Sequence, residues 1–155
     1  TQKAAAGARN EAQATKLAQE YVEKLRVMRD SRAWAAFILP ITANGEYGIN
    51  IPVGSESNIT NWAIVLLSGL NPSMAVPCNE VSPSSVMRGE SVVVDKVTFC
   101  RKFTVSNYSA TSNKLQIKVE VDWKEGNNVR SSRAETVMSL WCGAAITGSN
   151  ASPCP

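Results

Sequence analysis

The sequence predicts an α+β fold: a long N-terminal α-helix packed on an antiparallel β-meander, with loops tied by disulfides. Three observations predict it. Apolar residues recur at helical spacing from Ala14 to Met28. Apolar and polar residues alternate strictly from Leu115 to Trp123. Four cysteines, an even number with no CxxC pair, are spread over the C-terminal part of the chain.

The helix comes first. Ala14, Leu17, Ala18, Tyr21, Val22, Leu25 and Met28 form a stripe of period 3.6. Arg9, Lys16, Glu20, Lys24, Arg26 and Arg29 occupy the other face, where Glu20–Lys24 and Arg26–Asp30 have the spacing of helical ion pairs. Upstream, Ala4, Ala5, Ala6, Ala8 and Ala12 favour helix but form a much weaker stripe. The helix, expected over residues 1–32, therefore has a face to bury only in its second half and should project at its N-terminal end. Ala4, Ala5, Ala8 and Ala12 are the candidate subunit-contact residues there. The chain starts at Thr1 with no initiator Met, and the expectation is a processed or truncated product.

Composition bounds the rest. A chain of 155 residues that is 44% hydrophobic and 19% charged suits one globular domain. No apolar run approaches the roughly 18 residues of a membrane span; the longest, Ala63–Leu67, is strand-length. A net charge of +3 is too mild to indicate a nucleic-acid partner. Histidine is absent, which removes the commonest general base and metal ligand. No nucleophile elbow, phosphate loop, dinucleotide fingerprint or zincin motif occurs. The reading is of a protein that is not an enzyme and uses no cofactor or metal.

After the helix, Trp34, Phe37, Ile38 and Leu39 make an apolar corner closed by Pro40, which disfavours helix at Leu39. Residues 33–91 read as a variable loop region with short strands. Tyr47, Ile49, Ile51 and Val53 alternate, but Pro52 marks that stretch as an edge strand. Trp62–Leu67 is a short apolar run, a buried strand or a short helix. Asn71–Glu90 carries Pro72, Pro77 and Pro83 among clustered serines and reads as irregular, stapled by Cys78.

Residues 92–142 should form the sheet. Turn chemistry at Ala110–Asn113 and at Glu125–Asn128 flanks the alternating strand, so Val92–Tyr108 and Val129–Trp141 should pair with its two edges. Folding about those turns sets Phe99 opposite Trp123, Phe103 opposite Val119 and Val105 opposite Ile117, with Ala134, Thr136 and Met138 on the same inner face. Lys102, Glu120 and Arg133 align on the outer face, as do Lys118 and Glu135, so opposite charges meet across strands. A slip of one residue would spoil both faces. Only Arg101, opposite Val121, breaks the inner pattern. The expected core is Leu17, Tyr21, Val22, Leu25 and Met28 against Phe103, Val105, Ile117, Val119, Thr136 and Met138.

That register also constrains Cys78, Cys100, Cys142 and Cys154, whose number in a weakly charged chain suggests two disulfides and an exported protein. Cys100 falls opposite Asp122, while Cys142 lies beyond Lys114 at the other end of the sheet. A disulfide needs Cα atoms within about 7 Å, so Cys100–Cys142 is excluded. Of the two remaining schemes, Cys78–Cys100 with Cys142–Cys154 closes the shorter loops. The second bridge would make residues 143–155 a cysteine-closed C-terminal loop.

Other candidate constellations favour ordinary structural roles. Glu20 and Glu23 lie three apart on the helix among basic neighbours, as a solvated face does. Arg101, Lys102 and Lys118 suggest surface ion pairing more than an anion site. Trp34, Trp62, Trp123 and Trp141 favour core positions over a sugar platform. Asn58, Asn107 and Asn150 each begin a glycosylation sequon, a pattern short enough to recur by chance in a chain rich in Ser and Asn.

Two segments together carry a family resemblance. Ala8 to Asp30 (ARNEAQATKLAQEYVEKLRVMRD), followed by Trp34, resembles the second half of the long helix of type IV pilin-like proteins. Val119 to Gly126 (VEVDWKEG), followed by Thr136 to Trp141 (TVMSLW), resembles their final hairpin. The order of helix, variable loop, antiparallel sheet and cysteine-closed tail is similar too, over roughly half the chain. The resemblance implies a structural subunit, a minor pilin, of an extracellular type IV pilus-like filament serving adhesion, twitching motility or DNA uptake. A type II secretion pseudopilin, or a surface-binding adhesin module at a filament tip, is the alternative. It further implies pilin subunits as partners, a host or cell-surface ligand, and an inner-membrane-anchored precursor. The membrane would be met only through a segment upstream of Thr1, about one span of apolar helix behind a leader peptide.

Overall fold

The computed structural model describes residues 1–67, 78, 80–82, 85–87, 89–109, 111 and 113–139. Helix α1 spans Gln2–Asp30 and helix α2 spans Trp34–Ile38. The strands are β1 Gly45–Asn50, β2 Ala63–Leu66, β3 Glu80–Ser82, β4 Ser85–Met87, β5 Glu90–Val94, β6 Val97–Ser106, β7 Lys114–Glu125 and β8 Asn128–Ser139. The fold is α+β. Six strands form one antiparallel sheet in the order β2-β1-β6-β7-β8, with β5 pairing β6, while β3 and β4 make a separate two-stranded sheet.

The register of the long strands follows the sequence pattern. Phe99 pairs with Trp123, Phe103 with Val119 and Val105 with Ile117. On the next strand Val119 pairs with Ala134, Ile117 with Thr136 and Leu115 with Met138. The turn between β7 and β8 is two residues, Gly126 and Asn127. Gly126 takes φ +63, the left-handed conformation that a tight hairpin needs at its first central position.

α1 lies across the inner faces of β8, β7 and β6. Its buried residues are Ala14, Leu17, Ala18, Tyr21, Val22, Leu25 and Met28, the whole apolar stripe. They form one core cluster with Phe99, Phe103, Val105, Leu115, Ile117, Val119, Val121 and Met138. Two layers, each apolar on one side, thereby bury each other. The helix ends where Ser31 caps it, its hydroxyl donating to the Met28 carbonyl at 2.9 Å. Ala33 is extended, so the chain turns out of α1 and restarts as α2. The expected 1–32 helix is therefore two residues shorter at its C-terminal end.

Several expectations need correction. The strand around Tyr47 is interior, between β2 and β6, and not at an edge. It stops at Asn50, so Pro52 lies beyond its last paired residue and removes no ladder bond. Trp62–Leu67 contributes the edge strand instead, where Ile64 is buried and Ala63 and Leu66 are exposed. Glu80–Ser82 and Ser85–Met87, within a stretch expected to be irregular, pair antiparallel as β3 and β4. Val92–Tyr108, expected as a single strand, is folded back on itself as β5 and β6. Asp95 and Lys96 both take positive φ, 50 and 67, in the two-residue turn between Val94 and Val97. Two left-handed central residues define a type I′ turn, usually built with Asn-Gly or Asp-Gly.

Beyond Tyr47, β1 has no paired partner on the β6 side. The buried Tyr21 hydroxyl fills the gap and accepts the Ile49 N–H at 2.9 Å. One side chain of α1 thus completes the hydrogen bonding of a strand in the opposite layer.

Leu25 is fully buried in this interface. Leu25→Ala should cost about 2–5 kcal/mol, whereas Ala5→Ser on the exposed first turns should change stability by less than about 0.5 kcal/mol. Chemical denaturation of the two variants checks both.

Candidate functional site

Three regions carry the residues singled out from the sequence. The first is the start of α1. Ala4, Ala5, Ala8 and Ala12 are all exposed, and no residue before Ala14 is fully buried. Contact with the sheet begins at the β7–β8 turn, where a Cβ added to Gly7 would lie 3.6 Å from the Glu125 carboxylate. Thr15 and Ser132 then share a hydroxyl hydrogen bond of 3.1 Å. Over these first turns the helix exposes Ala4, Ala5, Ala8 and Ala12 together with Lys3, Arg9 and Glu11.

The second region surrounds Arg101 on the inner face. Because it alternates with Phe99 and Phe103, its guanidinium is turned into the helix–sheet interface, and the residue is only 2% exposed. Nη2 donates to Glu90 Oε2 at 3.0 Å, and Nη1 lies 3.8 Å from Glu20 Oε1. The guanidinium carbon sits 5.0 Å from the centre of the Tyr21 ring, a cation–π arrangement. Nε and Nη1 find no hydrogen-bond acceptor among the described residues. Gly89 at φ +124 makes the approach of Glu90 feasible, since a side chain there would collide with the Arg101 carbonyl. Burial and the charge of Glu90 push the Tyr21 hydroxyl well above its ordinary pKa, so it stays protonated. Burial and then the charge of Arg101 push the Lys24 ammonium down.

The third region is on the outer face. Cys100 is bonded to Cys78, with 5.8 Å between Cα atoms. Asp122 pairs with Cys100 and Lys102 with Glu120 in the next outer-face row; Lys102 and Asp122 are 6% and 4% exposed. Lys102 Nζ lies 3.1 Å from Glu46, 3.3 Å from Glu120 and 3.9 Å from Asp122. Arg133 Nε donates to Glu120 at 2.6 Å, and the Ser131 hydroxyl donates to Asp122 at 2.6 Å. Burial alone would lower Lys102, but the Glu46 hydrogen bond and the carboxylate charges hold it above its ordinary range. Burial likewise opposes Glu120 ionisation, yet Arg133 and Lys102 outweigh it and keep Glu120 below its ordinary value. Asp122 is raised, chiefly by burial. Such opposed shifts are what a closed ion-pair network produces.

The sequence expectations map onto these regions unevenly. Leu17, Tyr21, Val22, Leu25, Met28, Phe103 and Val119 all lie in the core cluster. Cys78–Cys100 is paired, and Cys142 and Cys154 lie outside the described residues, as does the C-terminal loop. Arg101 and Lys102 do not combine into an anion site, because neighbouring strand residues face opposite sides. Their pairing is buried, not superficial, because Arg101 is covered by α1. The helix ion pairs are Glu23–Arg26 and Arg29–Asp30 in place of the two expected from spacing. Trp34 packs on Phe37, Trp123 packs on Phe99, and Trp62 donates to the Ser55 carbonyl, so these three form no common platform. Trp141 and Asn150 lie outside the described residues. Asn58 and Asn107 are exposed, Asn58 as the cap of a 3-10 turn at Ile59–Asn61. Sequence reasoning missed Glu46 and Glu90 as charge partners. Their long-range pairing leaves no periodic signal.

Among the described residues, no group of three His, Cys, Asp or Glu side chains is placed to hold a metal ion. No described helix is long and apolar enough to cross a membrane. Comparison of the chain with protein-family models, with curated proteins and with solved structures finds no match in any of the three.

Two outcomes follow from the outer-face cluster. The Cys78–Cys100 bridge spans 22 residues, so Cys78→Ser should cost about 3 kcal/mol by chain entropy, read as a lower denaturation midpoint. Glu120 is depressed in the folded state, so it contributes stability above its unfolded value of 4.5 and loses it as pH falls through its folded value. Glu120→Gln should therefore be less stable than wild type at neutral pH and show a shallower loss below pH 4.5, measured by denaturation across pH.

Proposed function

We propose that this chain is the globular part of a type IV pilus-like filament subunit, a minor pilin, with a structural and not a catalytic role. The reading rests on one observation. The first turns of α1 carry no fully buried residue. Its 29 residues extend about 43 Å at 1.5 Å per residue, but its buried residues begin only at Ala14. The turns before Ala14 expose Ala4, Ala5, Ala8 and Ala12. Small side chains let another helix approach closely, so this surface suits helix-to-helix packing between subunits.

In this reading α1 continues upstream of Thr1 into an apolar helical segment that anchors the subunit and enters the filament core. The sheet layer faces outward, and other subunits of the same architecture are the partners. The α+β arrangement, a long N-terminal helix followed by an antiparallel sheet, has the order of the two resembling segments.

The test uses the full-length gene product. Codons upstream of Thr1 should encode about 20 apolar residues behind a Gly-Phe-like processing site. Ala5→Lys and Ala8→Lys should abolish incorporation into sheared filaments while shifting the stability of residues 1–155 by less than about 0.5 kcal/mol. Normal incorporation of both variants, or upstream codons without an apolar stretch, would overturn the reading.

A further inference from the structure

β8 is the last strand of the sheet. Among the described residues it pairs with β7 alone, in a register that runs without a bulge from Asn128 to Ser139. No proline interrupts these 12 residues. Natural sheets seldom leave so long and regular an edge without a protective device.

Hydrogen-bond parity says which groups the edge offers. The Gly126–Asn127 turn closes on its own i to i+3 bond, between Glu125 and Asn128. Bonded and non-bonded pairs alternate from there. The even-numbered residues of β8 therefore bond to β7, and Val129, Ser131, Arg133, Glu135 and Val137 aim their N–H and C=O groups away from it. Val137 is 61% exposed. α1 crosses the strand at Ser132, where Thr15 touches it, and by Tyr21 it has reached β1. From Thr15 onward the helix thus leads away from this edge, while an earlier turn, at Gly7, lies beside the β7–β8 turn.

We propose that the β8 edge is a self-recognition surface, on which a second copy of this chain adds its own β8 antiparallel with Ala134 on the two-fold axis. Parity admits only axes that pass through a residue, because odd-numbered residues must meet odd-numbered ones. An axis through Arg133 or Glu135 sets like charges opposite each other, which is unfavourable. An axis through Ala134 sets Arg133 opposite Glu135 of the second copy, and does so twice, as an isologous interface requires. Within the chain, Lys102 already pairs with Glu120 and Glu120 with Arg133, while Lys118 pairs with Glu135. The junction therefore joins Lys102, Glu120 and Arg133 of one copy to Glu135 and Lys118 of the other. The result is a row of alternating charge running across both outer faces. Ser132 meets Thr136 on the inner face, and Ser131 meets Val137 on the outer. The inference is independent of the filament reading, which places subunit contacts on α1.

Sedimentation equilibrium of the 155-residue chain tests it. Wild type should show a concentration-dependent dimer. R133E or E135R alone sets like charges together and should weaken it roughly tenfold or more. An equimolar mixture of the two variants should form a mixed dimer, because both interchain pairs are then complementary. Arg133 also bonds to Glu120, but loss of that bond alone would not be rescued by a second chain. A wild type that stays monomeric at every concentration would overturn the proposal; coverage of the edge by the chain's own C-terminal residues predicts that result. Variants that dimerise like wild type, or a mixture that fails to associate, would equally overturn it.

Discussion

Successive side chains of a β-strand project to opposite faces, and from β6 to β8 that alternation is locked by continuous register. Every apolar residue of Phe103, Val105, Leu115, Ile117, Val119 and Met138 falls on one side. The face they create cannot remain in water, since fully burying a side chain of this size is worth about 1.5–3 kcal/mol. The stripe of α1 is the complementary surface. The position of the helix, the buried tyrosine bond to β1 and the environment of Arg101 all follow from that single apposition. Shifting any of these strands by one residue would turn the face outward and leave α1 nothing to cover.

Arg101 is the exception within that face, and its surroundings show how the fold tolerates it. A guanidinium loses much hydration on burial, and attraction to a partner does not always offset the loss. Here Glu90 supplies a direct hydrogen bond, Glu20 a longer-range attraction, and the Tyr21 ring a face on which the planar cation rests. Delocalised charge makes arginine better suited to this than lysine. Tyr21 consequently has two tasks, its ring facing the cation and its hydroxyl accepting from Ile49. This cluster links α1 to β1, β5 and β6, which is more than an apolar residue at position 101 could do.

The opposite face is organised by charge and a covalent tie. Lys102 is the only cation within reach of three carboxylates among the described residues, and Arg133 takes up the remaining capacity of Glu120. Both faces of the central strands are therefore specified, one by apolar packing and the other by paired charge. Two differently specified faces resist strand slippage better than one. The Cys78–Cys100 bridge holds a segment distant in sequence against the same strand.

Much of this was legible in the chain itself. Periodicity is a local property, so the α1 stripe and the β6–β7–β8 register could be read directly, and the register in turn excluded a Cys100–Cys142 bridge. Turn residues of familiar type marked Gly126–Asn127. Asp95–Lys96 carried no such mark, so β5 and β6 read as one strand until their pairing showed two. Which strand neighbours which is not periodic. The insertion of β1 between β2 and β6, the meeting of Glu90 with Arg101 and of Glu46 with Lys102, and the burial of both cations depend on contacts tens of residues apart. The sequence by itself determined which residues needed burial and in what local geometry. Only the tertiary structure decided which distant charges met them, because Coulombic partners are chosen by proximity in space and leave no pattern along the chain.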